Sequence, residues 1–139
     1  MADIFISYKR EDRKTTKALA DALEKRRFST WWDTRLATGE SYDDVIETAL
    51  DSAQCVIVLW SQAAVKSRWV RTEAGEGLER EILVLVFIED VKPPLAFRRI
   101  HTASLVGWEY ALEGPLIDAL VRDVKRIVAT SGVAQKRKV

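Results

Sequence analysis

Cysteine and histidine each occur once in these 139 residues, and that scarcity excludes several kinds of chemistry at the outset. One cysteine, Cys55, builds neither a disulfide framework nor a Cys-based zinc site. With His101 the only histidine, no Cys, His and acid set is available for nucleophilic catalysis. His101 precedes an apolar run and reads as a surface or packing residue, and Cys55 opens the run Val56 to Trp60, which suits a reducing compartment. A surplus of charge is lacking too. There are 22 Lys and Arg against 21 Asp and Glu, a net of +1, where a nucleic-acid binder would carry a basic excess. Even that +1 comes from Lys136, Arg137 and Lys138: without them 19 basic residues face 21 acidic ones and residues 1 to 135 carry −2. Long apolar runs are absent, since the longest uncharged one, Ile82 to Ile88, falls far short of the ~20 residues that span a bilayer. The start, MADIFISYKRED, lacks the basic-then-apolar order of a signal peptide. These absences predict a soluble, cytoplasmic protein with neither a membrane nor a nucleic acid as partner.

What is present fits one globular domain. Hydrophobic residues make 47% and charged residues 31% of the chain, near the globular average, and a chain of this size buries roughly two-thirds of its unfolded surface. Short apolar runs alternate with longer amphipathic segments, the pattern of a parallel sheet wrapped by helices. Five strands are predicted: Ile4 to Tyr8, Phe28 to Trp32, Cys55 to Trp60, Ile82 to Ile88 and Ser104 to Trp108. The third and fourth are unbroken Val/Ile/Leu runs, as expected of strands covered on both faces. Helical stripes predict helices over Asp12 to Arg26 and Tyr42 to Ser52, the second opened by the Ser41 and Asp44 capping pattern. A third helix is expected from about Ser67, its N-cap, to Arg80, and a last one carries Leu116, Ile117, Leu120, Val121, Val124, Ile127 and Val128. Pro93 and Pro94 mark a loop. Residues 1–131 form the domain on this reading, and 132–139 a basic tail or linker.

The expected class is α/β: a flavodoxin-like three-layer fold with a five-stranded parallel sheet of order 2-1-3-4-5. In that topology ligands bind outside the carboxyl ends of strands one and three. A phosphoacceptor receiver shares it but needs an aspartate ending strand three, where this chain has Trp60-Ser61. No GxGxxG or GxxxxGK[ST] run follows a strand, which removes the common nucleotide cradles. The crevice instead collects polar and aromatic residues. Tyr8, Lys9 and Arg10 end strand one, Trp32 and Asp33 end strand two, Gly39 lies in the next loop, and Trp69 and Glu73 share one helix face by their i,i+4 spacing.

DIFISYKRED, WWDTRLATGES, VIVLWS and the Trp69-Val-Arg-Thr-Glu73 run, in this order and spacing, resemble a Toll/interleukin-1 receptor (TIR) domain over about residues 3 to 130. The resemblance, closest to the bacterial-type NAD-cleaving branch, implies one of two kinds of molecule. One is an NAD+ nucleosidase in immune, antiphage or cell-death signalling, releasing nicotinamide with ADP-ribose or a cyclic ADP-ribose isomer. The other is a non-enzymatic adaptor or host-mimicking domain acting through TIR–TIR association. On the enzymatic reading Glu73 is the catalytic carboxylate, NAD+ is the substrate, and no metal or cofactor is required. Tyr8, Trp32 and Trp69 are then candidates to stack on its rings, and Lys9 and Arg10, in the basic stretch Lys9 to Lys14, to pair with its pyrophosphate. The resemblance further implies activation by self-assembly, possibly into filaments, with movement of the loop Asp33 to Ser41, and a fused or partner sensor domain. Plainer roles stand beside these: Trp69 as a packing residue that positions Glu73, Lys9 and Arg10 as a solvated loop, Asp33 and Gly39 as loop-shaping residues, Ser41 as a cap. Trp31 and Trp32 point to opposite faces of their strand, so at most one reaches the crevice, and Trp31 is expected in the core. Glu109 and Tyr110 after Trp108 depart from the pattern of some catalytic relatives and leave the acceptor side of the site open.

Overall fold

A run with no polar residue is stable as a strand only if both its faces are covered, and all six residues of Cys55–Trp60 are buried in β3, the middle strand of a parallel sheet. The computed structural model describes residues 2–33 and 42–137, with the backbone alone at 42–43 and beyond 131. β1 (Ile4–Ser7) and β4 (Leu83–Phe87) flank β3, while β2 (Thr30–Trp31) and β5 (Thr102–Ser104) form the edges. The strand order is β2-β1-β3-β4-β5, as expected, with Ile6 opposite Ile57 and Ile57 opposite Val84.

Helices cover both faces. Between β1 and α1 (Arg13–Lys25) lies a 3-10 turn over Arg10–Asp12, and α2 spans Tyr42–Ser52. After β3 come a one-turn helix α3 (Gln62–Val65) and α4 (Arg68–Glu79), and the chain closes on α5 (Pro115–Arg137). On one face Leu19 and Leu23 of α1 and Ile117, Leu120 and Val124 of α5 pack with Ile6 and Ile57. On the other, Ile46 of α2 and Val70 and Ala74 of α4 pack with Phe5, Val56 and Val58.

Two features seat α4. Ser67 caps it as expected, its Oγ accepting from the Val70 N–H at 3.2 Å. Gly77 lets its last turn lie against the sheet, since a Cβ there would stand 3.0 Å from the Val56 Cβ. The departures from expectation fall at the sheet edges. The predicted second strand shortens to two residues, following Arg27 in left-handed backbone at φ 71°. The predicted fifth strand, Ser104 to Trp108, is displaced to Thr102–Ser104. Leu105 to Trp108 is instead a turn, closed by Trp108 N–H donating to the Leu105 carbonyl at 2.9 Å with Gly107 at φ 82°. α5 continues in backbone to Arg137.

Candidate active site

β1 is apolar until its last residue, and a polar group in a strand buried on both sides must find a partner. Ser7, 1% exposed, donates its hydroxyl hydrogen bond to Glu73 Oε1 at 2.6 Å. Glu73 lies on the inner face of α4 beside Val70 and Ala74 and is 6% exposed. One turn earlier, at i−4, the Trp69 indole adds to the stabilisation of the charged carboxylate. Burial pushes the Glu73 carboxyl up to about 7, with the charge of Asp33 adding to the rise while the Ser7 hydrogen bond and Trp69 oppose it. The group therefore changes charge near neutrality, the range in which an acid–base or electrostatic role is sensitive to its surroundings.

Tyr8 follows Ser7 and, by strand alternation, leaves on the opposite side, packed with the α1 and α5 layer. Its hydroxyl donates to the backbone carbonyl of Asp33. Burial first, and then the Asp33 charge, push the phenol up to about 12, so it stays protonated.

Two adjoining cavities meet at these residues. The larger, about 440 Å³, lies between Tyr8, Lys9, Arg10 and Glu11 at the end of β1 and Ser67, Trp69 and Val70 at the start of α4. The smaller, about 20 Å³, borders Glu73 itself, with Tyr8, Trp31, Asp33, Ile46 and Trp69 around it. Tyr8 and Trp69 line both, forming the partition between them. A space of that size holds about one water, so a larger group reaches Glu73 only when one of the partition side chains swings aside. Trp69, 49% exposed, has room to do so. A third cavity, apolar and about 420 Å³, lies against Trp31 and the α2 residues Val45, Thr48 and Ala49; among the described residues Asp44 is the one charged residue along it.

The structure thus brings Tyr8, Asp33, Trp69 and Glu73 to one spot and places Lys9 and Arg10 along the adjoining cavity. It keeps Trp32 apart: that ring packs on the α1 side, edge-on to Tyr8 at 6.0 Å and 6.0 Å from the Arg13 guanidinium. Trp31, expected in the core, is half-buried, stacks on Phe5 at 5.1 Å and borders the Glu73 cavity. Gly39 and Ser41 lie outside the described residues. Trp69 does not pack beneath its helix; it is half exposed and lines both cavities. Ser7 and Trp31 were not among the expected site residues. The lone hydroxyl in Ile4–Ser7 was the available signal for the first. Parity with Phe5, opposite Trp31 in the β1–β2 ladder, was the signal for the second.

Nearby, the Ser61 hydroxyl donates to the Asp12 carboxylate and accepts from the Ala64 N–H at 3.1 Å. This ties the start of α1 to that of α3. Trp108 and Tyr110 meet edge-on at 5.4 Å, and Tyr110 bonds Thr15 at 3.1 Å, away from Glu73. Among the described residues no group of three or more His, Cys, Asp or Glu is arranged to hold a metal ion.

Residues 4–117 match a family model described as a TIR domain. No curated protein matches the chain. Among solved structures, the TIR domain of the Toll-related receptor TRR-2 from Hydra magnipapillata superposes with a TM-score of 0.74 at 20% identity, over 90% of this chain and 99% of that one. A metazoan TIR-STING receptor from C. gigas, in complex with 2',3'-cGAMP, gives 0.71 at 23% identity, over 89% of this chain and 39% of the receptor. This chain therefore spans about two-fifths of that receptor. The TIR domains of the activated Roq1 resistosome, which directly recognises the pathogen effector XopQ, give 0.54 at 21% identity, over 96% of this chain and 85% of that one. At such identities the likeness to these structures is one of fold.

Proposed function

The chain belongs to the TIR domain family, and from that premise we propose that it is an NAD+ nucleosidase with Glu73 as its catalytic carboxylate. The observation that carries the reading is Glu73 itself: a buried carboxylate held by the Ser7 hydroxyl, beside a cavity of about 440 Å³ bordered by Lys9 and Arg10. The nicotinamide of NAD+ is cationic, so when its bond to the ribose C1′ breaks, the electron pair returns to the ring nitrogen and nicotinamide leaves neutral without a general acid. The positive charge passes to an oxocarbenium-like ribose. An ionised Glu73 against that ribose stabilises the charge as it develops, in the manner of a glycosidase carboxylate. Water then adds at C1′ and gives up a proton, yielding ADP-ribose; attack by an adenine nitrogen yields a cyclic isomer. No metal or further cofactor enters these steps. In this reading Lys9 and Arg10 meet the pyrophosphate charge, and Trp69 swings aside as the ribose arrives.

Self-association with other TIR domains supplies the trigger in this reading, in cytoplasmic immune or cell-death signalling coupled to a sensor domain or partner chain. Among the described residues no helix is long and apolar enough to cross a membrane. The test is release of nicotinamide from NAD+ by the chain concentrated on a multivalent support, set against Glu73→Ala. Release by the parent chain alone supports the enzyme.

One observation favours a second reading. Glu73 adjoins a space of only about 20 Å³, and a domain that acts as an adaptor through TIR–TIR contacts has no need to open it. Nicotinamide release that never exceeds the Glu73→Ala background, with TIR–TIR binding intact in that variant, selects the adaptor.

A further inference from the structure

We propose that Ser7 is the positioning residue of Glu73, holding its carboxylate in the reactive orientation; this rests on the reading of Glu73 as the catalytic carboxylate. Ser7 and Glu73 are 66 residues apart in the chain, and their 2.6 Å contact is buried. The donor stands on a buried strand beside the middle strand of the sheet. Ser7 pairs with Val58 across the ladder between β1 and the central β3, so its Cα is fixed by the sheet. The acceptor is carried by α4, which Gly77 seats against Val56 of that same strand. A hydroxyl on a strand thus fixes a carboxylate on a helix, which is how a charged group is kept within a few tenths of an ångström of a working position.

The other groups around Glu73 show why this contact matters. Trp69 also favours the charged form, but it is half exposed and forms part of the partition that must open. Tyr8 donates its hydroxyl hydrogen bond to the Asp33 carbonyl. Asp33 opposes ionisation of Glu73. α2 contributes only Ile46 to this space among the described residues, and β2 contributes Trp31, stacked on Phe5. When Trp69 moves, Ser7 is the described donor that stays with the carboxylate and favours its charged form. Ser7 does not border the large cavity, so its influence falls on the chemical step and not on substrate capture.

The test is a ¹³C NMR titration of the Glu73 carboxyl, assigned by its loss in Glu73→Gln, on the parent chain, Ser7→Ala and Ser7→Thr, together with nicotinamide release across pH. Ser7→Ala removes one hydroxyl without adding bulk and is expected to raise the Glu73 midpoint by about one pH unit. The acidic limb of the rate profile should move by the same amount, with kcat lowered about fivefold at pH 7 and KM unchanged. Ser7→Thr, which keeps the hydroxyl, should restore the midpoint. An unmoved midpoint in Ser7→Ala overturns the proposal, as does a fall in rate that Ser7→Thr restores with no change in midpoint or pH profile. A raised midpoint in a chain that releases no nicotinamide even when assembled supports the Ser7 hold on the carboxylate and overturns the nucleosidase reading instead.

Discussion

Two carboxylates at the same end of the sheet each accept a serine hydroxyl, and they differ in what surrounds the pair. Asp12 takes the Ser61 hydroxyl at the junction of α1 and α3. Its carboxyl is raised by burial, and the charges of Glu89 and Glu11 add to this. Glu73 takes the Ser7 hydroxyl and is raised further, to about 7. The Asp12 pair joins two helix starts and borders none of the three cavities around the site. The Glu73 pair faces aromatic rings and an adjoining cavity large enough for part of a dinucleotide. A raised carboxyl alone does not mark a site. The distinction lies in having a charge-sensitive group next to space that a ligand can fill.

The largest effect that would break this contrast is on activity. Glu73→Gln keeps the shape of the side chain and a hydrogen-bonding partner for Ser7, so the domain should fold while nicotinamide release drops by about a thousandfold or more. Asp12→Asn, the matched change at the other pair, should leave release within a few-fold of the parent. Equal losses from the two variants would erase the distinction.

Stability should separate the pairs by pH. Glu73 binds its proton more tightly in the folded chain than in the unfolded one, where a glutamate titrates near 4.5. The fold is therefore most stable below that point with respect to this group, loses stability as pH rises to about 7, and levels off above. That loss is on the order of 3 kcal/mol. Activity that needs the ionised group rises over the upper part of the same range. Urea melts at pH 5 and pH 8 should show Glu73→Gln flattening the decline and exceeding the parent chain in stability at pH 8.

Gly77→Ala tests the seat of α4. The new Cβ meets Val56 at 3.0 Å, which should cost about 1–3 kcal/mol and reduce release by moving Glu73 away from Ser7. A neutral outcome on both counts would show that helix placement tolerates more than the close contact implies. The smallest effect should come from Lys9→Ala and Arg10→Ala, each raising KM several-fold with kcat held, if these side chains meet the pyrophosphate.

Much of this was legible before any coordinates. β1 and β3 showed as apolar runs because strands covered on both faces have no polar alternation to blur them, and α2 and its bounds followed from its stripe. Edge strands depend on tertiary hydrogen bonding that a sequence does not display. Phe28 to Trp32 looked long enough for five residues of ladder but pairs at two. Leu105 and Trp108 imitated a strand although Gly107 turns the chain between them. α3 is too short to show a period. At the site, the i,i+4 spacing of Trp69 and Glu73 indicated a shared helix face, and the TIR resemblance singled out Glu73 from the other glutamates of its helix. Alternation correctly separated Trp31 from Trp32, but only the register against Phe5 decides which of them faces Glu73.

The most direct measurement is the pH profile of nicotinamide release from NAD+ by the assembled chain, with Glu73→Gln as the reference. Release that rises through pH 7 in the parent and is absent from the variant at every pH is the expected result. Equal release from the two chains, or none from either when assembly is verified, would contradict the assignment of Glu73 as the carboxylate of an NAD+ nucleosidase.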